Sequence, residues 1–253
     1  MQTRPLGNSG IQITPIVFGT WQAGKRGWVG IEDEQVIEAM QAAFNAGVTT
    51  FDTAEIYGEG YSEELVGKAL TAVRDRTVIA TKVFANHLQA DQVVSACEAS
   101  LKRLQCDYID LYQIHWPAGS FNNPVVPIAE TMGALVKLKE QGKIRAIGVS
   151  NFSRAQIEEA MQYGPIDSLQ PPYSLFWRQL EQETLPFCVE QNITVLAYSS
   201  LAQGLLTGKF GPDHVFPKDD IRSKNRLFQG ELYAQAQKAL DQLRPIAAKY
   251  QTT

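Results

Sequence analysis

The feature that most constrains this chain is a repeat in which a short apolar run precedes a stretch with helical periodicity. Seven such runs, rich in β-branched residues, recur at a fairly even pitch along the 253 residues. They span residues 16–21, 48–53, 78–83, 109–116, 144–150, 169–173 and 193–199. Strands that alternate with helices are typical of parallel strands joined by helical crossovers. The repeat therefore predicts an α/β fold, either a closed barrel or an open doubly wound sheet.

Two local signals refine this prediction. Before the first run, Asn8, Ser9 and Gly10 separate two short apolar segments, which predicts an N-terminal β-hairpin that plugs the floor of a barrel. After the fifth run, Ser153 and Gln156 have the spacing of a capping box, so we expect a helix to begin there at once.

Polar or aromatic residues stand at the C-terminal edge of every run. Barrel enzymes draw catalytic groups from the C-terminal ends of many strands, whereas an open sheet concentrates them at one crevice. Residues from seven separate runs therefore favour the barrel, although Ser150 or Gln170 alone would be read as a structural cap. The residues are Thr20, Trp21, Asp52, Lys82, His115, Ser150, Asn151, Gln170, Tyr198 and Ser199.

Lys82 is the most informative of these residues because a buried ammonium requires a carboxylate or a chemical role. Asp52 is the expected counter-ion, and Tyr57 follows it in a loop that can fold back over the same barrel mouth. The ordinary pKa of a phenol is about 10, and it has to fall by roughly 2 before the phenol can serve as an acid near neutrality. That decrease corresponds to a free energy of about 3 kcal/mol. A cation about 4 Å away supplies about 4 kcal/mol at a dielectric near 20. We therefore expect Lys82 to lower the pKa of Tyr57, while His115 orients a carbonyl oxygen toward the phenol.

The chain lacks the residues for a metal site or for a nucleophile with a paired base. It has three histidines, and His87 and His214 are expected at the surface. These groups can supply an acid and orientation, so reducing power has to come from a cofactor.

Several segments together resemble the aldo-keto reductase family, and they occur in that family's order across essentially the whole chain. The resemblance implies a (β/α)8 TIM barrel that reduces aldehydes or ketones with NADPH, NADH not being excluded. It also implies a catalytic tetrad of Asp52, Tyr57, Lys82 and His115, in which Tyr57 is the general acid. The segments are FDTAEIYG at 51–58, SE at 62–63, TK at 81–82, IHWP at 114–117 and GVSNF at 148–152.

The same resemblance implies a nicotinamide site. Ser150, Asn151 and Gln170 would hold the carboxamide, Tyr198 would stack on the ring, and residues 199–209 would follow the pyrophosphate. The full set of cofactor-binding candidates is Gly19, Thr20, Trp21, Asp52, Ser150, Asn151, Gln170, Tyr198, Ser199, Leu201, Gly204, Leu205 and Lys209. Trp21 and Trp116 are also candidates for the wall of the substrate pocket.

The C-terminal part of the sequence departs from the family pattern. Residues 216–232 resemble the bacterial branch with an extended seventh loop, but no eighth strand or helix follows the helical segment 231–250. We therefore expect residues 1–253 to form a single barrel domain that is C-terminally incomplete, as a fragment of a longer protein rather than a naturally shortened one. The adenine-side motif is missing as well, so the preference for NADPH rests on the family's tendency.

Composition narrows the partners to a small-molecule carbonyl substrate. The net charge of −4 comes from scattered charges without a basic block, which argues against nucleic acid. No apolar leader or span of roughly 18 apolar residues is present, so we expect a cytoplasmic protein without a membrane partner. The three cysteines are too scattered for a disulfide framework. The sequence leaves the oligomeric state open.

Two other functions remain compatible with these residues. One is a regulatory module of the same fold that binds the nucleotide with little or no turnover. The other is a lyase that forms a Schiff base through Lys82, which a neighbouring Asp52 disfavours because a charged lysine is a poor nucleophile.

Overall fold

The architecture is a curled sheet of parallel strands preceded by a two-stranded hairpin, in a computed structural model that describes residues 1–252. Within these residues the parallel sheet has seven strands in sequence order, and each strand pairs with the next. The hairpin strands are β1 (Arg4–Pro5) and β2 (Gln12–Ile13). The sheet strands are β3 (Val17–Gly19), β4 (Thr50–Asp52), β5 (Val78–Val83), β6 (Ile109–Ile114), β7 (Ile144–Ser150), β8 (Ser168–Gln170) and β9 (Thr194–Val195).

Helices connect the successive strands, as the parallel order requires. The helix α5 begins directly after Ser153, whose hydroxyl accepts from the Gln156 backbone, so the predicted capping box is confirmed. The helices are α1 (Asp33–Asn45), α2 (Tyr61–Leu70), α3 (Ala90–Leu104), α4 (Ile128–Glu140), α5 (Arg154–Met161), α6 (Thr184–Glu190) and α7 (Gly230–Lys249). Together these elements confirm the predicted alternation of strands and helices.

The observed strands match the predicted runs best in the middle of the sheet. The runs 78–83 and 144–150 coincide with β5 and β7. The sixth and seventh predicted runs extend past the C-terminal ends of the strands that they correspond to, β8 and β9. Strand β8 stops at Gln170. Pro171 and Pro172 follow and have no N–H to donate to a ladder. Beyond β9, pairing is reduced to an isolated bridge between Pro172 and Tyr198.

The N-terminal hairpin fills the inside of the sheet, which confirms the predicted plug. Its side chains of Leu6, Ile11 and Ile13 are buried in one cluster with Ala80, Leu111 and Ala146 from three neighbouring strands. Small alanines leave room for the larger hairpin residues, because protein interiors are packed to uniform density. These contacts also identify the inward face of β5, which is the face that carries Lys82 two residues after Ala80.

A larger apolar core lies between the strands and the surrounding helices. Phe51 and Tyr112 are its largest strand residues and are fully buried. Each large apolar side chain contributes about 1.5–3 kcal/mol when it is removed from water. Cys97 and Cys188 belong to the same core, and burial raises the pKa of their thiols to about 12 and about 11. Both are therefore neutral thiols at physiological pH.

The described residues divide into two compact units. The first contains the hairpin, the parallel sheet and helices α1 to α6. The second consists of residues 27–30, 172–178 and 197–252. Among these described residues, α7 is the only helix longer than six residues. Its core is aromatic: Phe210, Phe216 and Phe228 pack together, and the Arg222 guanidinium lies 4.4 Å from the Phe216 ring centroid. The organisation of residues 1–253 as one domain remains a prediction.

In the part of the chain that the structure describes, none of the helices combines the length and the apolar character that a membrane crossing needs.

Tyr112 provides a test of this core. Its hydroxyl is fully buried and finds no hydrogen-bond partner within residues 1–252. A buried polar group without a partner carries a desolvation penalty of about 1–3 kcal/mol. We therefore expect Tyr112→Phe to leave the free energy of unfolding unchanged or to raise it by about 1 kcal/mol, measured by urea denaturation. Tyr112→Ala is the control and should cost about 3–5 kcal/mol; a comparable loss in Tyr112→Phe would contradict the expectation.

Candidate active site

A buried ion pair joins two neighbouring strands at their C-terminal ends. Lys82 of β5 is completely buried, and its ammonium lies 2.6 Å from Oδ1 of Asp52, the last residue of β4. The register pairs Asp52 with Ala80, so Asp52 and Lys82 share the inward face of the sheet. The ammonium also donates to the Thr53 carbonyl oxygen at 2.7 Å. The predicted counter-ion is therefore in place.

Tyr57 reaches the same point from the loop between β4 and α2. Its hydroxyl lies 3.4 Å from the Lys82 ammonium, which is thereby surrounded by a carboxylate, a carbonyl and a phenol. The ammonium is 5.0 Å from the centroid of the Tyr57 ring, close enough for a cation–π contribution.

The His115 ring completes the group of four predicted residues. It follows β6 and meets the Tyr57 ring edge-on, with the centroids 5.6 Å apart. Its Nδ1 is buried without a hydrogen-bond partner among the described residues. Burial, reinforced by the positive charge of Lys82, holds the pKa of this imidazole well below its usual value. The ring is therefore neutral at physiological pH.

The ionisation of Tyr57 differs from the expectation. Burial of the phenol raises the pKa of Tyr57, and the attraction of Lys82 offsets only part of that increase. The prediction that Lys82 brings this pKa below its ordinary value is therefore wrong for the chain by itself, because it left desolvation out. For Lys82, burial acts against the charged form, but Asp52 and Tyr57 outweigh it and raise the pKa of the ammonium. The site thus holds a charged lysine beside a neutral phenol.

Three predicted cofactor residues lie beside these four. The Gln170 side chain donates to Oδ2 of Asp52 at 2.9 Å, and the Ser150 hydroxyl donates to the Gln170 carbonyl oxygen at 2.7 Å. The Asn151 amide donates to the Ser150 hydroxyl and to the His115 carbonyl oxygen, both at 3.0 Å, from a backbone with φ of 62°. The Ser150 hydroxyl and the amide nitrogens of Asn151 and Gln170 are thus bonded within the chain, to one another, to Asp52 and to the His115 backbone.

The candidates at the end of β3 are placed differently. Gly19 is exposed, and Trp21 begins a short 3-10 helix with its ring centroid 6.4 Å from that of Tyr57. Thr20 is buried, and both its backbone N–H and its hydroxyl donate to the Asp52 carbonyl oxygen at 2.9 Å. The polar donors of Thr20 are therefore engaged within the chain, so a role in cofactor binding is left to its other atoms.

The remaining cofactor candidates belong to the second unit. Tyr198 is bridged to Pro172, and Ser199 and Gly204 have positive φ angles of 51° and 94°. Leu201 and Lys209 are exposed. Leu205 is fully buried in the aromatic core of that unit, so its side chain is closed to a ligand and only its backbone is left for the predicted contact.

A further group of aromatic side chains begins at His115. The Phe84 ring meets His115 edge-on at 5.6 Å and stacks on Phe121 at 5.5 Å. Trp116, one of the two predicted wall residues, packs edge-on against Phe121 at 5.0 Å. An apolar wall of this kind suits a substrate with an apolar body.

Sequence reasoning missed Gln113, which lies inside the sheet on β6. It is fully buried, its amide nitrogen is 3.4 Å from Oδ2 of Asp52, and its amide oxygen accepts from the Ser168 hydroxyl at 3.3 Å. A signal was available, since Gln113 is a polar strand residue two positions before His115 and so shares its face.

Comparison with known proteins places this fold and site in a class. A sequence model of the Aldo/keto reductase family matches residues 15–253, and the chain belongs to that family, whose fold is the (β/α)8 barrel. The chain is 41% identical to the aldo-keto reductase YhdN of Bacillus subtilis, over 98% of this chain and 76% of that protein. It is 36% identical to the NADH-specific methylglyoxal reductase of Escherichia coli, over 100% of this chain and 83% of that protein.

Solved structures of similar proteins have the same fold. A glycerol dehydrogenase from Gluconobacter oxydans superimposes with a TM-score of 0.89 at 36% identity, covering 99% of this chain and 79% of that one. An aldo-keto reductase from Klebsiella pneumoniae in complex with NADPH gives a TM-score of 0.71 at 34% identity, covering 81% of this chain and 70% of that one. The predicted family and fold are therefore confirmed.

The neutral state of His115 has a consequence for stability. An unfolded histidine binds a proton near pH 6.5, whereas the buried ring does not, so the unfolded state binds more protons below that pH. Lowering the pH from 7.5 to 5.5 should therefore cost about 1 kcal/mol of unfolding free energy through this one group. In urea denaturation at the two pH values, His115→Gln should lose that part of the difference. His214→Gln, a change at an exposed histidine, should keep it; equal pH dependence in both variants would contradict the assignment.

Proposed function

We propose that this chain is an oxidoreductase that reduces aldehydes or ketones to alcohols with a nicotinamide cofactor, and that Tyr57 is the general acid. The observation that carries the proposal is the phenol of Tyr57 at 3.4 Å from a buried ammonium that is itself 2.6 Å from Asp52. The proposed tetrad is Asp52, Tyr57, Lys82 and His115, as the sequence predicted. A small carbonyl compound is the proposed substrate, in keeping with the relatives described above.

When bound, the reduced nicotinamide supplies the hydride. The residues proposed to hold its carboxamide are Ser150, Asn151 and Gln170, which offer a hydroxyl and two amides beside the tetrad. Tyr198 is proposed to stack on the ring and residues 199–209 to follow the pyrophosphate. Positive φ angles at Ser199 and Gly204 support a backbone that turns tightly there.

The proton step follows from the electrostatics of the site. Because burial raises the pKa of Tyr57, the phenol keeps its proton until the substrate oxygen becomes strongly basic. The phenolate that then forms lies beside Lys82, whose charge stabilises it by about 4–5 kcal/mol at an effective dielectric near 20. Asp52 keeps Lys82 charged. The pair therefore favours the phenolate that forms when Tyr57 gives up its proton.

His115 is proposed to orient the substrate. A neutral imidazole can donate one hydrogen bond to the substrate oxygen without adding a second positive charge beside Lys82. The edge-on contact of its ring with the Tyr57 ring supports a donor beside the acid. The substrate oxygen would accept from His115 and from the Tyr57 hydroxyl, and the apolar body of the substrate would lie toward Phe84 and Phe121.

The Schiff-base alternative is disfavoured by the same site. An amine nucleophile has to be unprotonated, but the raised pKa of Lys82 keeps it charged. The alternative of a nucleotide-binding module with little turnover stays a prediction. Tight NADPH binding by the unaltered chain without measurable reduction of any carbonyl compound would support it.

The decisive variant is Tyr57→Phe, which removes the acidic hydroxyl and keeps the ring. We expect it to lower kcat for reduction of benzaldehyde or methylglyoxal by about 10²–10⁴-fold, the usual contribution of a general acid. NADPH binding, followed by quenching of tryptophan fluorescence, should change less than about threefold, because the hydroxyl acts in the proton step.

One control variant accompanies it. Tyr61→Phe removes a phenol that is bonded to Asp33 outside the tetrad and should retain most activity. Unchanged benzaldehyde reduction by Tyr57→Phe would refute the proposed role.

The cofactor is proposed to be NADP(H), with NAD(H) as the alternative. The Klebsiella pneumoniae relative binds NADPH and the Escherichia coli relative is NADH-specific, so the family supports a nicotinamide cofactor in either form. Fluorescence titration with both nucleotides should give the smaller Kd for NADPH. A smaller Kd for NADH would reverse the assignment without affecting the proposed chemistry.

A further inference from the structure

The loop that carries Tyr57 is closed at its base by a contact between two buried hydroxyls. Thr53 follows β4, Ser62 lies in the first turn of α2, and their hydroxyl oxygens are 3.0 Å apart. Both side chains are fully buried. The eight residues between them include Tyr57 and return to almost the same point in space.

We propose that Ser62, together with Thr53, is a positioning group that sets the Tyr57 phenol against the Lys82 ammonium. The proposal rests on the proposed function, since it concerns how accurately the acid is held. The hydrogen bonds of the Ser62 hydroxyl go to Thr20 and Thr53 and not to a tetrad side chain, so its action has to pass through the loop and the strand ends.

The hydroxyl of Ser62 joins three chain segments. It contacts the Thr20 carbonyl oxygen at 2.9 Å, the Thr20 hydroxyl at 2.7 Å and the Thr53 hydroxyl at 3.0 Å. The Thr20 hydroxyl in turn donates to the Asp52 carbonyl oxygen. One arrangement of protons satisfies all three hydroxyls, with Thr53 donating to Ser62, Ser62 to Thr20 and Thr20 to Asp52. The ends of β3 and β4 and the start of α2 are thus fixed to one another.

The residues that this cluster fixes are those that hold Lys82. Two of the three acceptors around the ammonium are Oδ1 of Asp52 and the carbonyl oxygen of Thr53. The backbone of Asp52 is held by Thr20, and the side chain of Thr53 is held by Ser62. The position of the ammonium therefore depends on the hydroxyl cluster, although no hydroxyl of the cluster contacts it.

The third acceptor, the phenol, is held through its own backbone. The N–H of Ser62 donates to the Tyr57 carbonyl oxygen at 3.1 Å. On the other side, Gly24 packs so tightly against this loop that an added Cβ would lie 2.6 Å from the Tyr57 carbonyl carbon. Ser62 and Gly24 thus confine the Tyr57 backbone. This confinement lets the Tyr57 hydroxyl, although it comes from a loop, stay 3.4 Å from the Lys82 ammonium.

The test compares variants that remove or retain these hydroxyls in the whole chain with NADPH and benzaldehyde. Thr53→Val and Ser62→Ala should lower kcat by about 10–100-fold, as expected for a shift of the acid by up to about 1 Å, with the KM for NADPH within about twofold. The alkaline limb of the kcat–pH profile should move to higher pH, because a phenolate farther from Lys82 is less stabilised. Thr53→Ser retains the hydroxyl and should stay near the unaltered activity and pH profile.

Thr131→Val is the matched control, since Thr131 lies on α4, outside the loop, and its buried hydroxyl donates to the Leu88 carbonyl oxygen. It should leave both kcat and the pH profile unchanged. The inference is overturned if Thr53→Val and Ser62→Ala behave like this control, or if Thr53→Ser loses as much as Thr53→Val. Tyr57→Phe, assayed in parallel, separates the two hypotheses: an active Tyr57→Phe refutes the proposed function, whereas an inactive one with normal Thr53→Val and Ser62→Ala refutes only the positioning role.

Discussion

The buried ammonium of Lys82 is the constraint on which the rest of the site depends. Removing a charge of this kind from water costs several kcal/mol, so the fold has to surround it with acceptors. Asp52, the Thr53 carbonyl and the Tyr57 hydroxyl supply these acceptors from the end of β4 and the loop that follows it. The arrangement explains why a carboxylate stands at the end of β4, and why the loop after it returns to the mouth of the sheet instead of running over the surface.

Burial also sets the protonation states on which the proposed chemistry relies. The same desolvation raises the pKa of Tyr57 and lowers the pKa of His115, so both rings are neutral while Lys82 remains charged. A neutral acid beside a fixed cation is suited to giving up its proton only when a basic oxygen forms. The electrostatics of the site thus agree with reduction of a carbonyl group better than with an amine nucleophile.

Much of this could be read from the sequence. The repeat of apolar runs and helical stretches predicted the parallel sheet, and the runs 78–83 and 144–150 matched β5 and β7 to the residue. Strand ends were harder, since prolines after Gln170 and the bridge at Tyr198 shorten pairing in ways that apolar content does not reveal. Gln113 was missed because nothing in the local sequence identifies its partner, here Asp52.

The sequence by itself determined which chemical groups are available, because strand periodicity and motif spacing are local properties. It placed a carboxylate, an ammonium, a phenol and an imidazole on elements whose ends meet at one edge of a parallel sheet. Only the tertiary structure decided the distances between them, the ionisation of Tyr57 and the hydroxyl cluster of Thr20, Thr53 and Ser62. These depend on contacts between residues distant in the chain, and on how much water the folded chain excludes, neither of which is encoded in any one segment.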